Sequence, residues 1–451
     1  MADDQGWGDV AYQGHPDLKT PFLDKLASES LVFDRFYAAA PVCSPTRGSV
    51  MTGRHPIRFG CFSWGHSLRP QEQTIAHLMR AAGYRTGHFG KWHLGSVQSG
   101  SPVNPGTAGF DHWVSAPNFY DNDPILSQNG KAIQTAGESS MVTARFANDF
   151  IENCIEDNQK FFVVVWFGSP HNPHRGAPED LEYYAGMDPD QAHFLAEITG
   201  MDRAIGSIRE HLEQKKVWDD TLLWYCSDNG ALPKVGSTGG FRGKKGSIYE
   251  GGLLVPSLIS CPGAKKKALH VPGRVSTSDI LPTLARLAGV SRLARHPSDG
   301  IALTSVIRGA TFETRPVPMG FWNYPVGGIR TPSHAWMSDL LMSQSNGLEP
   351  QIPERIRLDA GVIAEKLTTD HFPGHAAWID GNLKLHKLAP ANPNGSITWE
   401  LYDLKNDPSE SENIIQSADP DMVSSMKAAL KDWQLSVVNS HNGLDYEQIQ
   451  K

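Results

Sequence analysis

Two uninterrupted apolar runs constrain this chain more than any other feature. They are Phe161-Phe162-Val163-Val164-Val165-Trp166-Phe167 and Thr221-Leu222-Leu223-Trp224-Tyr225-Cys226. A run apolar on both faces reads as a strand covered on both sides, the habit of parallel sheets. Each run leads into a polar, turn-forming segment: Ser169-Pro170-His171-Asn172-Pro173-His174 after the first, Ser227-Asp228-Asn229-Gly230 after the second. Between them Phe194, Ile198, Met201, Ile205, Ile208 and Leu212 recur at steps of three and four, which predicts an amphipathic helix. Strand, helix, strand makes a crossover unit. Ligands of open parallel sheets gather beyond the carboxyl ends of the strands, so both polar segments are expected on one rim.

Further helices are expected near Thr20 to Ser28, Pro45 to Thr52, Gln71 to Ala82, Met141 to Asp157 and Ile280 to Ala288. From about Arg315 the texture turns Pro-, Gly- and aromatic-rich, as in Phe321-Trp322-Asn323-Tyr324-Pro325, and a long irregular stretch is expected to about His375. Ala377 to Leu388 then reads as a hairpin turning at Asp380-Gly381, Thr398 to Leu404 as a strand and Met422 to Val437 as a final helix. The expected organisation is a large α/β domain over 1–314 and a smaller α+β subdomain over 315–451, in line with what 451 residues can bury.

The formal charge of −8 provides no basic field for nucleic acid, and Lys265-Lys266-Lys267 is short enough to be a solvated loop. No run approaches the roughly 20 apolar residues of a membrane helix. The cysteines at 43, 61, 154, 226 and 261 are too scattered for a disulfide framework, and no CxxC pair points to zinc. Met1 opens on Ala2-Asp3-Asp4-Gln5-Gly6 with no signal-peptide core, a start that reads as trimmed.

Asp3, Asp4, Asp228 and Asn229 offer hard oxygen donors of the kind that suits calcium or magnesium over zinc. Taken alone, Asp-Asn-Gly is more often a turn than a metal ligand. Similarly, Cys43 in Cys43-Ser44-Pro45-Thr46-Arg47-Gly48 reads blandly as a buried cysteine beside a helix-starting proline. This string, however, resembles the modification motif of the formylglycine-dependent sulfatases, in the alkaline phosphatase superfamily. Gly90-Lys91-Trp92-His93 is similar to that family's Lys-x-His segment, Ser169-Pro170-His171 to its strand-end histidine, and Gly243-Lys244-Lys245-Gly246-Ser247 to its sulfate-binding lysine segment. Asp279-Ile280-Leu281-Pro282-Thr283-Leu284 and Leu401-Tyr402-Asp403-Leu404 are also similar to family segments, so the likeness covers nearly the whole chain.

The resemblance implies a large, mainly parallel mixed sheet sandwiched by helices and hydrolysis of sulfate monoesters. It implies that a formylglycine-generating enzyme converts Cys43 to formylglycine, whose hydrate is the nucleophile. Asp3, Asp4, Cys43, Asp228 and Asn229 are then expected to hold calcium, with magnesium as the alternative. Lys91 and Lys245 neutralise sulfate oxygens, Arg47 supports the diol, His93 takes its second proton, and His171 or Lys245 protonates the departing alcohol. Asp228 is a further acceptor for the attacking proton, and His174 a further residue facing substrate. A periplasmic or secreted location follows from the same resemblance, with the cytoplasm left open.

Sulfatases carry an apolar strand before the Asp-Asp pair, whereas only Met1 and Ala2 precede it here, so the sheet is expected to lack a central member. A phosphoester or phosphonate monoester hydrolase with the same residues is the enzymatic rival, and an anion-binding homologue without activity the other. Trp64, His66, Trp322, Tyr324 and Trp336 are candidates for a sugar-binding mouth, though aromatic residues more often fill cores. A sulfated carbohydrate is favoured over a small aryl ester.

Overall fold

The computed structural model describes residues 1–261, 269–290, 296–390 and 395–447. Lys265, Lys266 and Lys267 lie outside the described residues. The apolar run at Phe161–Trp166 pairs in parallel with Arg85–Lys91, which pairs in parallel with His112–Ala116. Two antiparallel strands, Ile125–Gln128 and Lys131–Gln134, finish that edge. The second run, Leu223–Cys226, starts a four-stranded sheet ordered Leu223–Cys226, Ser257–Ser260, Leu31–Phe33, Leu269–Val271. The first run thus pairs in parallel, whereas Leu223–Cys226 pairs antiparallel with Ser257–Ser260, so the layer is mixed.

Met1 and Ala2 stitch the two sheets together. The Met1 amine donates to the Val165 carbonyl at 2.8 Å, the Phe167 amide donates to the Met1 carbonyl at 3.0 Å, and the Ala2 amide donates to the Cys226 carbonyl at 2.9 Å. A parallel bridge from Ala2 to Ser227 continues the ladder. The Asp3 amide reaches the Ser169 carbonyl at 3.0 Å, so the acidic pair has a rigid base although only two residues precede it. Met1 to Asp3 therefore lie between the two strand ends, where the polar segments begin.

Helices cover both faces of this layer. Pro189–Gln214 lays Phe194, Leu195, Ile198, Met201 and Ile205 against Leu23, Val32, Tyr225 and Leu258. Its start is set by Asp188, whose carboxylate accepts the amides of Asp190 and Gln191. On the opposite face Met51, Phe59, Ile75, Met79, Trp92 and Leu281 pack together. Burying each such side chain contributes about 1.5–3 kcal/mol.

Met319–Asn323, His375–Asp380, Leu383–Leu388 and Thr398–Asp403 form a separate antiparallel sheet in that order. The hairpin turns at Gly381, whose φ is 55°. Helix Pro420–His441 covers one face through Val423, Met426, Leu430 and Val437. The stretch before His375 is not irregular throughout: Ser333–Ser345 and Pro353–Ile356 are helical. Among the described residues no helix is long and apolar enough to cross a membrane.

Candidate active site

Cys43 is the first residue of helix Cys43–Thr52, every residue of which is buried. Its Sγ therefore sits at the positive end of the helix dipole, 3.8 Å from Asp4 Oδ1. Burial nonetheless pushes the thiol well above its ordinary pKa, against the pull of Lys245 and Lys91. As a thiol it is a poor nucleophile at neutral pH.

One turn on, Arg47 projects into the same site. Its Nε and Nη2 donate to Asp228 Oδ2 at 3.0 and 2.7 Å, Nη2 lies 3.4 Å from Asp3 Oδ1, and Nη1 donates to the Lys91 carbonyl at 3.3 Å. The guanidinium carbon stands 5.1 Å from the centre of the Trp166 ring, so an aromatic face supports the charge from below. Asp228 Oδ1 in turn accepts the Asp4 amide at 3.0 Å, and Asp4 adopts φ 69°, which turns its carboxylate into the site.

The strand Arg85–Lys91 delivers Lys91 at its end, and Nζ donates to both oxygens of Asp3 at 2.9 and 2.7 Å. Lys245 Nζ donates to Asp4 Oδ2 at 2.5 Å. Its segment is pinned by the Lys245 amide on the Ala231 carbonyl and the Gly246 amide on the Pro41 carbonyl. Three buried carboxylates thus face three cations, Arg47, Lys91 and Lys245. Burial pushes the Asp3 carboxyl up to about 7 against the pull of Lys91. For Asp4, burial works in the same direction, but Lys245 and His171 overcome it and hold the carboxyl low.

Asn229 donates its amide to Asp4 Oδ1 at 2.8 Å, while its own Oδ1 is buried with no partner. Asp3, Asp4, Cys43 and Asp228 each place a donor atom within 4.8 Å of the others. An orphaned amide oxygen beside three carboxylates is a set of hard oxygen donors, so these residues fit a divalent cation.

The histidines differ sharply. His93 is buried at φ 52° with both ring nitrogens unpartnered, and burial, then Lys91 and Arg47, keep it neutral far below its usual pKa. His171 lies 3.5 Å from Asp4 Oδ2 through Nε2, donates from Nδ1 to the Asn172 carbonyl at 2.6 Å, and stacks on Phe119 with ring centres 3.9 Å apart. Burial lowers its pKa to about 3 while Asp4 pulls it upward. His174 packs edge-on against Phe194, 5.2 Å between centres, with Nδ1 unpartnered. Of the candidate mouth residues, Trp322 is buried and donates to the Pro373 carbonyl, Tyr324 stands 5.1 Å from Phe62, and Trp336 lies under Arg355. Phe119 and Trp166 are site residues that the sequence does not announce as such: Trp166 reads there only as part of a buried strand, and its contact with Arg47, like that of Phe119 with His171, joins residues distant in the chain.

A mixed α/β layer carries a dense cluster of buried cations and carboxylates at its strand ends, an arrangement suited to holding an anionic group. The chain belongs to the sulfatase family of sulfuric ester hydrolases: the family model Sulfatase matches residues 1–290. The chain is 30% identical over 362 residues to N-acetylgalactosamine-6-sulfatase of Homo sapiens, covering 70% of this chain and 66% of that one. It is 27% identical over 360 residues to an ulvan-active sulfatase of Formosa agariphila, covering 72% and 69%. The solved structure of Ps i-CgsB in complex with k-i-k-neocarrahexaose shares the fold, with TM-score 0.80, 22% identity and coverage of 99% and 96%.

Proposed function

We propose that this chain removes sulfate from a sulfated carbohydrate by way of formylglycine at position 43, with calcium held by Asp3, Asp4, residue 43, Asp228 and Asn229. The observation that carries the reading is the placement of Cys43 at a buried helix N-terminus, 3.8 Å from Asp4 and inside the ring of Arg47, Lys91 and Lys245. Hydrated formylglycine supplies two hydroxyls, one to attack sulfur and one to release it, which no thiol offers. A divalent cation supplies charge neutralisation at a sulfate oxygen and acidifies a bound hydroxyl.

The remaining work falls to the chain's own side chains. Lys91 and Lys245 bind sulfate oxygens and offset charge as the S–O bond lengthens. Arg47 holds Asp228 in place and, by its double contact, favours the carboxylate as a ligand over a proton acceptor. His93, neutral and unpartnered, takes the proton of the second hydroxyl. His171 directs Nε2 into the site and donates to the leaving oxygen; an arriving sulfate anion raises its proton affinity. His174 faces substrate at the rim of the same loop. A smaller subdomain over 315–451 beside the mouth belongs to the same proposal, supported by the Asn323 side chain donating to the Gly246 carbonyl next to Lys245.

The carbohydrate preference is supported by the relatives, one named an ulvan-active sulfatase and another N-acetylgalactosamine-6-sulfatase. A periplasmic or secreted location belongs to the same proposal, and cell fractionation tests it. The decisive experiment compares chain made with and without a formylglycine-generating enzyme, with mass analysis of the Cys43 peptide and rates on matched sulfate and phosphate esters. Activity should track conversion and favour sulfate, and Cys43→Ala should abolish turnover with the fold kept. Full activity without conversion overturns the mechanism, and faster phosphate cleavage the substrate class.

A further inference from the structure

A sulfated sugar presents an anion and a ring with apolar C–H faces. The site described above meets the anion. Alone of the twelve tryptophans, Trp64 is exposed, at 41%, and it stands on the loop that touches the residue next to Cys43. The Gly65 amide donates to Ser44 Oγ at 2.8 Å, so the loop that carries Trp64 is tied to the helix carrying Cys43.

This loop is held from the other side as well. The Ile329 amide donates to the Trp64 carbonyl at 2.9 Å, and the His66 ring donates from Nε2 to the Gly327 carbonyl at 3.0 Å. Gly65 has φ +77°, and a Cβ there would lie 1.9 Å from the Ile329 carbonyl oxygen. A Cβ on Gly328 would lie 2.1 Å from the Trp64 ring, so the indole is seated directly on glycine backbone. Two close approaches that only glycine permits fix an exposed indole in place. An exposed aromatic ring gains from an apolar face, and its rigidity lowers the entropy cost of binding one.

We infer that Trp64 is the stacking platform for a sugar ring of the sulfated substrate and thereby a specificity-determining residue, an inference that rests on the saccharide reading above. The C–H face of a pyranose lies on the exposed indole while the sulfate enters between Lys91 and Lys245. Small planar or branched esters that cannot reach Trp64 forfeit this contact.

The test uses the converted full-length chain and a panel of sulfated mono- and disaccharides. Trp64→Ala should raise KM for the preferred saccharide on the order of tenfold, with kcat changed by less than about threefold. Trp64→Phe should recover most of the loss, and the inhibition constant for inorganic sulfate should be unchanged in both. In the inactive Cys43→Ala chain, titration with the same saccharide should perturb tryptophan fluorescence, and the perturbation should vanish in the double variant carrying Trp64→Phe. An unchanged KM in Trp64→Ala, or an equal weakening of inorganic sulfate inhibition, overturns the inference. A wild-type chain that cleaves aryl sulfate but neither cleaves nor binds any panel member overturns it together with the carbohydrate preference. A chain inert toward every sulfate ester yet showing Trp64-dependent saccharide fluorescence overturns the sulfatase mechanism and leaves the platform standing.

Discussion

Arg47 meets Asp228 through two nitrogens on a single oxygen, at 3.0 and 2.7 Å, with both side chains fully buried. Two charges taken out of water are tolerable only as a pair, and removing one partner of a buried pair costs about 3–5 kcal/mol. Arg47→Met should therefore lower unfolding free energy by about that amount and abolish turnover. Arg47→Lys should recover part of the stability but little activity, since an ammonium cannot span Asp228, Asp3 and the Lys91 carbonyl together. Denaturant melts and single-turnover rates check both; an Arg47→Met chain of wild-type stability would show that Asp228 is neutral in the fold.

Asn229 keeps an unpartnered oxygen in a site of three carboxylates, so a divalent cation should stabilise the folded state. Ligand at 100 times its Kd adds about 2.7 kcal/mol. Thermal melts of the metal-stripped chain should rise on calcium titration, and Asn229→Ala should weaken the response while Lys244→Ala leaves it intact. Equal melting with and without calcium would exclude the cage.

A second buried ionic cluster ties the C-terminal sheet to the segment that carries Lys245. Lys384 Nζ lies 2.7 Å from Glu250 and 3.1 Å from Glu410, His386 Nε2 donates to Glu410 at 2.6 Å, and the Glu250 amide donates to Glu410 at 2.6 Å. Burial lowers the His386 pKa to about 4, with Glu410 pulling the other way. The unfolded chain, with a histidine pKa of about 6.5, takes up the proton first as pH falls. Stability is thus full above about pH 6.5 and declines toward pH 4 by at most about 1.4 kcal/mol per unit from this group. His386→Gln should flatten that slope in denaturant midpoints measured between pH 7 and 5, and an unaltered slope would assign the acid sensitivity elsewhere.

The crossover unit and the rim it creates were readable because apolar runs and a 3.6-residue period signal burial directly. Helix Ser139–Glu156 was placed nearly to its ends, and Glu138, which accepts the Ser140 and Met141 amides, caps it. Strand Arg85–Lys91 was not readable as a strand. Its polar residues are buried against other polar groups, His88 on Ser115 and Lys91 on Asp3, so alternation is lost. Helix Ser333–Ser345 was missed because only Ser333, Met337 and Leu340 of its residues are buried, too few for a continuous stripe. The pairing of Met1 and Ala2 between two strands is a tertiary event spanning more than 160 residues, and two residues carry no periodicity to announce it. Trp322 reads the same by composition as Trp64, and only the fold separates the core residue from the exposed one.

His171 supplies the sharpest test of the proposed chemistry. Its Nδ1 is committed to the Asn172 carbonyl, so Nε2 is the nitrogen that can exchange a proton with substrate. With a pKa lowered to about 3 in the substrate-free site, it becomes an acid only when sulfate charge arrives beside it. A phenolate of low pKa departs without a proton, whereas a sugar alkoxide does not, and general acid catalysis is worth about 10²–10⁴-fold. His171→Ala should therefore slow sugar sulfates far more than activated aryl sulfates. Plotted against leaving-group pKa, its rates should fall along a steeper line than those of the wild type. Parallel lines would restrict His171 to binding sulfate through its stacked ring on Phe119, and the proton would then come from Lys245, whose pairing with Asp4 keeps it protonated.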